Sequence, residues 1–541
     1  MIIRYFLFLI AMTVIACTSD KTVKTLEFPV LGTWGDQGDG TYKNPVLNSN
    51  YPDSDVEEYN GKYYMISSKG RYIKGMTILE SEDLVNWTII NGIVDSVDWG
   101  ENVRGVWAGD LVRHEGKWLC YFIDIDKGLF VCESDNIKGK WSHPRLIFEK
   151  SNMTDPAVFF DYERKEAYLT CNYEIVRNPE AMIFHNYLFK LSWDGQKLLD
   201  KGKEIYVGEG AEAAKIYFYN DYYYIFLSEW TRNKKGKRDD RLQIVLRGKS
   251  IYGPYEKKIL MERDAVTGRS SCQGSLLQIP DGSWWYLHQL VQNADSYEGR
   301  PQMLIPVKWE SDWPVLGFDP DGNGIGNTVW EYKKPITGSG VKAPQSDDDF
   351  NSQQLGYQWL WDGNPDNTKW SLTDRKGFLR MYASIPTNTQ TPIASVPNKL
   401  LQRKMGKGKD VVITKIDLSG MAEGQQVGLI HSGKGYASAG IYLRNGEKNV
   451  YWNFNNKQTI GEKIKSQTIW LKSVFNGQKG YFEYSEDGER FKSIGKEIVL
   501  EREGFDGIFI GMYSINLSGY GYVDVDWFSY DYDGPKSEKL E

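Results

Sequence analysis

Short runs of alternating apolar and polar residues, separated by tight polar turns, dominate the first two thirds of the chain. In five places such a run ends in a turn and is followed by an aromatic-rich run, as in EEYNGKYYMISS and QIPDGSWWYLHQ. Asn-Gly and Asp-Gly turns between such runs are strong signals of β-hairpins. The turns are centred on Gly61, Gly116, Arg164, Asp221 and Gly282. They recur about every 55 residues, and a strand repeat of this period predicts a five-bladed β-propeller.

The last third of the chain has a different pattern. A polar stretch with Pro and Gly at 333–349 predicts a linker. After it come many short alternating runs, such as DVVITKIDL, AGIYLRN and YVDVDWFSYDY, over about 190 residues. Such a series of short strands predicts a β-sandwich. The predicted fold class is therefore all-β, with a five-bladed β-propeller followed by a β-sandwich.

The first 17 residues, MIIRYFLFLIAMTVIAC, predict export. Arg4 precedes an apolar run that is too short to span a bilayer, which is typical of a signal peptide. The residues before Cys17 resemble a bacterial lipoprotein signal, and this resemblance implies cleavage before Cys17 and lipidation of that residue. The alternative is an ordinary secretory signal that contains a Cys. We therefore expect an exported lipoprotein of the outer membrane, on its periplasmic or cell-surface side.

Composition and charge narrow the function classes. Of 541 residues, 14% are aromatic, and the 54 Gly and 19 Pro favour strands and turns over disorder or coiled coil. The net charge is −7 with mixed signs and no basic domain, so we expect no nucleic-acid partner. Sugars are one candidate ligand for such a protein, although most aromatic residues are interpreted as core. Four later cysteines show no metal-finger spacing and are interpreted as buried residues, with their disulfide state left open: Cys120, Cys132, Cys171 and Cys272.

The repeat predicts which residues meet at the propeller axis. The innermost strand of each blade lines the axis, and its first residues face one mouth of the channel. Counting back about eight residues from each turn centre reaches that position. The five residues reached are Asp53, Trp107, Asp155, Glu212 and Gln273. Three of the five are carboxylates, so acid–base chemistry is the leading hypothesis for this mouth.

Carboxylates around one axis suit the hydrolysis of a glycosidic bond. One protonated and one ionised carboxyl group flank the bond in such enzymes. A third carboxylate raises the pKa of a neighbour by like-charge repulsion. Trp107 would supply a flat apolar face for a sugar ring. The alternatives are a calcium site with oxygen ligands and a purely structural role as strand caps.

At these residues the chain resembles glycoside hydrolase family 43, whose members are five-bladed propeller enzymes. The resemblance covers residues 27–335 and rests on an ordered set of segments, among them NPVLNSNYPDSDVEEYNGKYYM, TDPAVFFD, EAAKIYFYNDYYYIF and CQGSLLQIPDGSWWYLHQ. It implies inversion of configuration, with Asp53 as general base, Asp155 as the carboxylate that tunes the acid, and Glu212 as general acid. Inversion requires base and acid about 6.5–9.5 Å apart. Trp107, Gln273 and Arg300 are the implied substrate-binding residues.

Some positions leave alternatives. Glu209 rivals Glu212 as the acid, because it also precedes a Gly, but Glu212 keeps the register of the repeat. Asp55 rivals Asp53 by proximity, and strand alternation places it further into the channel. Arg300 has an ordinary surface salt bridge as its alternative.

The resemblance also bears on cofactors. Cys272 stands where the family often has a His that helps to hold a water or a calcium ion. We therefore expect no required cofactor and assign no metal ligand, and a structural calcium ion is unsupported. His288 is interpreted as a buried residue rather than a base.

The C-terminal residues 345–541 resemble, from Asp348 to Ala383, the concanavalin-like sandwich that follows some family 43 catalytic domains. The resemblance implies an accessory domain that frames the active-site pocket. A separate carbohydrate-binding role is the alternative.

Together these features predict an inverting exo-glycoside hydrolase acting on arabinose- or xylose-containing plant polysaccharides or oligosaccharides. The family resemblance alone favours an α-L-arabinofuranosidase over a β-xylosidase. A retaining fructan hydrolase would show Arg before Asp155, where this chain has Thr154. The rival from another class is a non-catalytic glycan-binding surface lipoprotein. The only membrane contact expected is the N-terminal lipid anchor.

Overall fold

The computed structural model describes residues 32–97, 105–177, 182–291 and 296–536. The predicted signal segment and Cys17 lie outside the described residues. In the described part, strands form nearly all of the regular structure, and the one helix is a 3-10 turn at Asn367–Lys369. This confirms the predicted all-β fold class.

Five four-stranded antiparallel blades make up the propeller in the described residues. A small sheet of β1 (Gly35–Asp36), β2 (Thr41–Lys43) and β24 (Glu331–Lys333) brings the beginning and end of the propeller together. The first blade contains β3 (Asp55–Tyr59), β4 (Lys62–Ser67), β6 (Gly75–Ser81) and β7 (Trp87–Val94), and β5 (Tyr72–Ile73) lies between β4 and β6. The second contains β8 (Gly109–His114), β9 (Lys117–Asp124), β10 (Gly128–Ser134) and β11 (Arg145–Glu149).

The other three blades repeat this order. The third contains β12 (Thr154–Asp161), β13 (Glu166–Arg177), β14 (Met182–Leu191) and β15 (Lys203–Glu209). The fourth contains β16 (Glu212–Tyr219), β17 (Tyr222–Arg232), β18 (Arg238–Gly248) and β19 (Glu256–Met261). The fifth contains β20 (Ser271–Gln278), β21 (Trp284–Leu290), β22 (Gln302–Glu310) and β23 (Trp313–Leu316). Each predicted turn centre joins the first two strands of its blade.

Polar side chains satisfy the free edges of the innermost strands. An innermost strand has a neighbour on one side only, so its other edge presents unpaired backbone groups. The Leu111 amide in β8 donates to Asp55 of the first blade at 2.8 Å, and the Val158 amide in β12 donates to Asp110 of the second at 3.0 Å. These acidic residues therefore join adjacent blades around the channel.

Two sheets form the C-terminal sandwich. Its strands are β25 (Leu360–Asp362), β26 (Trp370–Ser371), β27 (Leu379–Tyr382), β28 (Leu400–Arg403), β29 (Lys409–Asp417), β30 (Gln426–Gly433), β31 (Gly435–Arg444), β32 (Glu447–Phe454), β33 (Lys457–Lys463), β34 (Thr468–Asn476), β35 (Lys479–Ser485), β36 (Lys492–Val499), β37 (Phe509–Ile515) and β38 (Tyr522–Asp531). One sheet has the order β33-β32-β31-β30-β37-β28-β25-β5, and the other β26-β27-β38-β29-β34-β35-β36.

The propeller and the sandwich share a strand and a core. β5 lies within the range 27–335 predicted for the propeller, yet it pairs with β25 and forms the edge of the sandwich sheet, with Ile73 opposite Trp361. One cluster of buried apolar residues contains Ile66 and Ile78 of the first blade together with Trp361 and Met405 of the sandwich. The seam between the two units therefore contains a continuous apolar core.

The four described cysteines are buried and have free thiols. Cys120 in β9 lies directly opposite Cys132 in β10. No helix in the described residues is long and apolar enough to cross a membrane.

Candidate active site

A pocket opens at one mouth of the propeller axis. The first residues of the innermost strands line it, and they include Asp53, Ala108, Asp155, Ala213 and Gln273. Residues from all five blades therefore converge on one cavity. Asp53, Asp155 and Gln273 are positions reached by counting from the turn centres, whereas Trp107 and Glu212 each lie one position before a lining residue.

Unusual backbone conformations aim these side chains at the pocket. Asp53, Asp155 and Gln273 have φ angles of 53°, 52° and 55°, in the left-handed region that non-Gly residues seldom adopt. The pairing register shifts between Thr154 and Ala157 and again between Cys272 and Gly274, which marks a β-bulge at Asp155 and another at Gln273. Bulges and strained residues are concentrated at functional sites, where they redirect side chains.

In the fourth blade the strained residue lies one position after Glu212, the residue reached by counting from the turn centre. Ala213 has a φ of 61°, and the register shifts between Glu212 and Lys215. Glu212 therefore lies one position before the strained residue of its blade, whereas Asp53 and Asp155 are themselves the strained residues.

Hydrogen-bond donors surround the Asp53 carboxylate. Arg300 Nη1 lies 2.7 Å from Oδ1, Ser68 Oγ donates to Oδ2 at 2.7 Å, and Gln289 Nε2 donates to Oδ1 at 3.4 Å. The Asp53 amide in turn donates to Gln289 Oε1 at 2.9 Å. An ionised carboxylate is an acceptor only, so this set of donors suits the form that a general base requires.

Asp155 lies in a very different environment. Burial raises the pKa of its carboxyl group well above the usual value, and the negative charges of Glu212 and Asp53 raise it further, while Arg241 opposes the shift. Like charges that converge in a desolvated site cannot all ionise easily. Asp155 is therefore the group of the three that burial and its neighbours favour in the protonated form.

Arg241 contacts the Glu212 carboxylate directly. Its guanidinium is fixed by Ser228, whose Oγ accepts from Nε at 3.1 Å and from Nη2 at 2.9 Å, and it lies over the Trp230 ring at 5.6 Å. The Glu212 side chain remains 21% exposed, so solvent or a ligand can reach it.

The two rival carboxylates lie elsewhere. Glu209 ends β15, the outer strand of the third blade, and pairs with Arg232 at 2.8 Å and Arg238 at 3.5 Å. Asp55 is buried beneath the pocket and pairs with Lys215. Glu209 thus belongs to a peripheral ion pair, and Asp55 belongs to the network that joins the blades.

The remaining predicted residues have varied placements. Trp107 is half-buried and directly precedes Ala108, and its role as a sugar platform stays a prediction. The Gln273 amide group is contacted by Gln289. Arg300 is 13% exposed and pairs with Asp53, so it is not an ordinary surface salt bridge.

His288 is fully buried, and burial lowers its pKa to about 4. It is therefore neutral at ordinary pH. Its position fits the interpretation as a buried residue, away from the lining of the pocket.

Several residues of the site were not found from the sequence. Ser68 and Gln289 contact the Asp53 carboxylate, and Arg241 contacts that of Glu212. Gln289 ends a repeat segment that was recognised, and it would be found by asking which second-strand residue lies opposite the start of the innermost strand. Arg241 lies on the third strand of its blade, and no local motif marks it.

No group of three or more His, Cys, Asp or Glu side chains within the described ranges could hold a metal ion. Cys272, at the position of the family's His, is buried, and burial raises the pKa of its thiol to about 11, which disfavours a thiolate ligand.

A five-bladed propeller with three carboxylates at one mouth defines a glycoside hydrolase. Residues 42–314 match the model of glycosyl hydrolases family 43, and residues 347–531 match that of the β-xylosidase C-terminal concanavalin A-like domain. The chain belongs to family 43 and hydrolyses O-glycosyl bonds.

Curated relatives and solved structures resemble nearly the whole chain. It is 43% identical to a β-xylosidase of Formosa agariphila over 94% of this chain and 93% of the relative. It is 25% identical to a non-reducing end α-L-arabinofuranosidase of Bacteroides ovatus over 91% of this chain and 94% of the relative. A mutant of the GH43 protein BlXynB of Bacillus licheniformis superposes with a TM-score of 0.75 at 25% identity, over 91% of this chain and 99% of that one.

Proposed function

We propose that the chain is an inverting exo-β-xylosidase that removes single xylosyl residues from the ends of plant oligosaccharides or polysaccharides. The observation that carries this proposal is that Asp53 and Asp155 line one pocket at the propeller axis, and that the charges of both Asp53 and Glu212 act on Asp155.

Each carboxylate has a proposed role. Asp53 activates the attacking water, since its donors hold it as an acceptor. Glu212 protonates the leaving oxygen, since its side chain remains 21% exposed and its charge acts on Asp155. Asp155 tunes Glu212 through their mutual charge effect.

The choice of sugar reverses the preference of the sequence analysis. The relative at 43% identity is named a β-xylosidase, and this supports xylosyl over arabinofuranosyl substrates. The Bacteroides ovatus relative supports α-L-arabinofuranosidase activity as the second candidate.

The test compares substrates with good and poor leaving groups. Glu212→Gln should lose about 10²–10⁴-fold in kcat/KM on xylobiose but much less on a dinitrophenyl xyloside, because a good leaving group needs little protonation. Asp53→Asn should lose activity on both substrates alike. NMR of the first product should show α-xylose released from a β-xyloside.

Glu209→Gln is the matched control, since this glutamate pairs with Arg232 away from the pocket. It should keep wild-type activity on both substrates. Loss of activity in Glu209→Gln with retention in Glu212→Gln would overturn the proposed roles. Faster hydrolysis of arabinofuranosides than of xylosides would favour the second candidate.

We also infer that no nucleic acid binds, and the net charge of −7 supports this inference.

We further infer that Cys17 carries a lipid anchor that attaches the enzyme to the outer membrane. The apolar run that ends at Cys17 supports this inference. Expression of the full chain with Cys17→Ser should move the enzyme from the membrane fraction to the soluble fraction. Unchanged fractionation would contradict the anchor.

A further inference from the structure

A chain of contacts runs from the sandwich to the proposed catalytic base. Asp506, in the segment between β36 and β37, accepts at Oδ1 from Asn50 Nδ2 at 3.1 Å. Asn50 Oδ1 accepts from the backbone amide of Arg300 at 3.1 Å. Arg300 Nη1 then lies 2.7 Å from Asp53 Oδ1. Asp506 therefore lies two contacts from Arg300 and three from Asp53. In the sequence, Asp53 and Asp506 are more than 450 residues apart.

Tight packing fixes the middle of this chain of contacts. Gly299 has a φ of 86°, and a Cβ there would lie 2.3 Å from Asn50 Oδ1, so Asn50 occupies the space beside this glycine. Arg403 Nε of the sandwich donates to the Asn50 carbonyl at 2.6 Å. Asn50 is therefore held by the sandwich on one side and by the Arg300 segment on the other.

The Arg300 side chain has less support of its own. Its Nε is buried and has no hydrogen-bond partner. Its recorded side-chain hydrogen bond is the one to Asp53. The position of the guanidinium therefore depends on Asp53 and on the charges around it.

Asp506 faces a mixed set of charges. Burial raises the pKa of its carboxyl group, the positive charges of Arg300 and Arg71 and the Asn50 hydrogen bond oppose the shift, and the negative charge of Asp53 adds to it. Arg403 also feels the Asp506 charge. One guanidinium, that of Arg300, thus interacts with two carboxylates, Asp53 directly and Asp506 at longer range.

We propose that Asp506 is a positioning residue supplied by the sandwich, which fixes Arg300 through Asn50 and shares its positive charge with Asp53. The proposal rests on the proposed function, in which Asp53 is the general base. A guanidinium that paired with Asp53 alone would stabilise the ionised carboxylate more strongly and make it a weaker base. Asp506 prevents this while keeping Arg300 in place.

The sign of the effect follows from this arrangement. Asp506→Asn keeps the size of the side chain and removes the negative charge. The ionised form of Asp53 is then favoured, so the acidic limb of the kcat/KM profile should move to lower pH by about half a unit. The plateau kcat should fall about threefold, because the base binds its proton less strongly.

The experiment compares four proteins on an aryl xyloside: wild type, Asp506→Asn, Asp506→Glu and Glu503→Gln. Glu503 is an exposed carboxylate on the same segment, and its charge is screened by solvent, so Glu503→Gln should match wild type. Asp506→Glu should restore the wild-type limb. A purely structural role would lower activity without moving the limb. An unmoved limb in Asp506→Asn, or an equal movement in Glu503→Gln, would overturn the proposal.

Crystal structures of wild type and Asp506→Ala supply a readout that does not need activity. The Asn50 side chain should lose its position on the Arg300 backbone amide in Asp506→Ala. A contact between Asn50 and the Arg300 amide that stays in place would overturn the positioning role. An inactive wild type would count against the proposed function alone, since the crystal structures would still decide the role of Asp506.

Discussion

At the scale of single residues, the convergence of carboxylates lowers the free energy of unfolding by an amount that depends on pH. The pKa of Asp155 is raised in the folded protein by burial and by the charges of Glu212 and Asp53, from an ordinary value of 3.8. Above about pH 4 the folded state keeps a proton that the unfolded state releases, so the free energy of unfolding falls as pH rises until the raised pKa is passed. Asp155→Asn does not titrate, and its stability relative to wild type should therefore increase with pH, by up to about 1.4 kcal/mol per unit.

Urea unfolding at a series of pH values from 4 to 8 measures this difference. Asp321→Asn is the control, because Asp321 lies on an exposed turn, and its difference from wild type should not change with pH. A flat difference for Asp155→Asn would show that its neighbours do not destabilise its charge.

The same residues show what the sequence could predict about the site. Asp53, Asp155 and Gln273 were found because each occupies the same place in a repeat, and the repeat is visible in the turn residues. Ser68, Arg241 and Asp506 could not be found in this way. Their partners come from other strands or from the other domain, and the contact depends on packing that no local pattern encodes.

At the scale of elements, the blades are joined near the axis by a buried ion pair. Lys215 of β16 contacts Asp55 of β3 and donates to Ser275 Oγ of β20 at 3.0 Å, so one ammonium joins the fourth, fifth and first blades. The side chains are 13% and 9% exposed. Lys215→Met should lower the free energy of unfolding by about 3 kcal/mol, because it leaves the Asp55 charge buried without its cation.

The double variant Lys215→Met with Asp55→Asn separates charge from packing. It should recover part of the loss, since no uncompensated charge remains. Lys201→Met, at an exposed position, should leave the denaturation midpoint unchanged. A double variant less stable than Lys215→Met would contradict the buried-charge explanation.

The strands also show which parts of the fold a local sequence pattern can predict and which it cannot. The five hairpins follow from their turns, whose residues adopt positive φ at low cost, as at Gly61 and Gly282. β5 is only two residues long and follows no periodicity. It is a strand because β25, almost 300 residues later, provides its hydrogen-bond partners.

At the scale of the whole molecule, the shared core predicts that propeller and sandwich unfold together. Contacts between domains are commonly polar and permit relative motion. Here β5 of the propeller segment completes a sandwich sheet, and one apolar cluster crosses the seam. Separation would expose this core to water, so calorimetry of the full chain should show one cooperative transition rather than two.

A variant far from the active site makes this coupling measurable. Val525 in β38 is fully buried in the sandwich, and Val525→Ala should lower stability by about 2 kcal/mol through the cavity that it leaves. Because the two units share one core, the temperature at which glycosidase activity is lost should fall by the same amount as the melting temperature of the sandwich. Lys496→Ala, at an exposed position of β36, should change neither temperature. Activity that survives above the melting transition of the Val525→Ala sandwich would show that the propeller is stable without it, and that the seam contributes little to the catalytic domain.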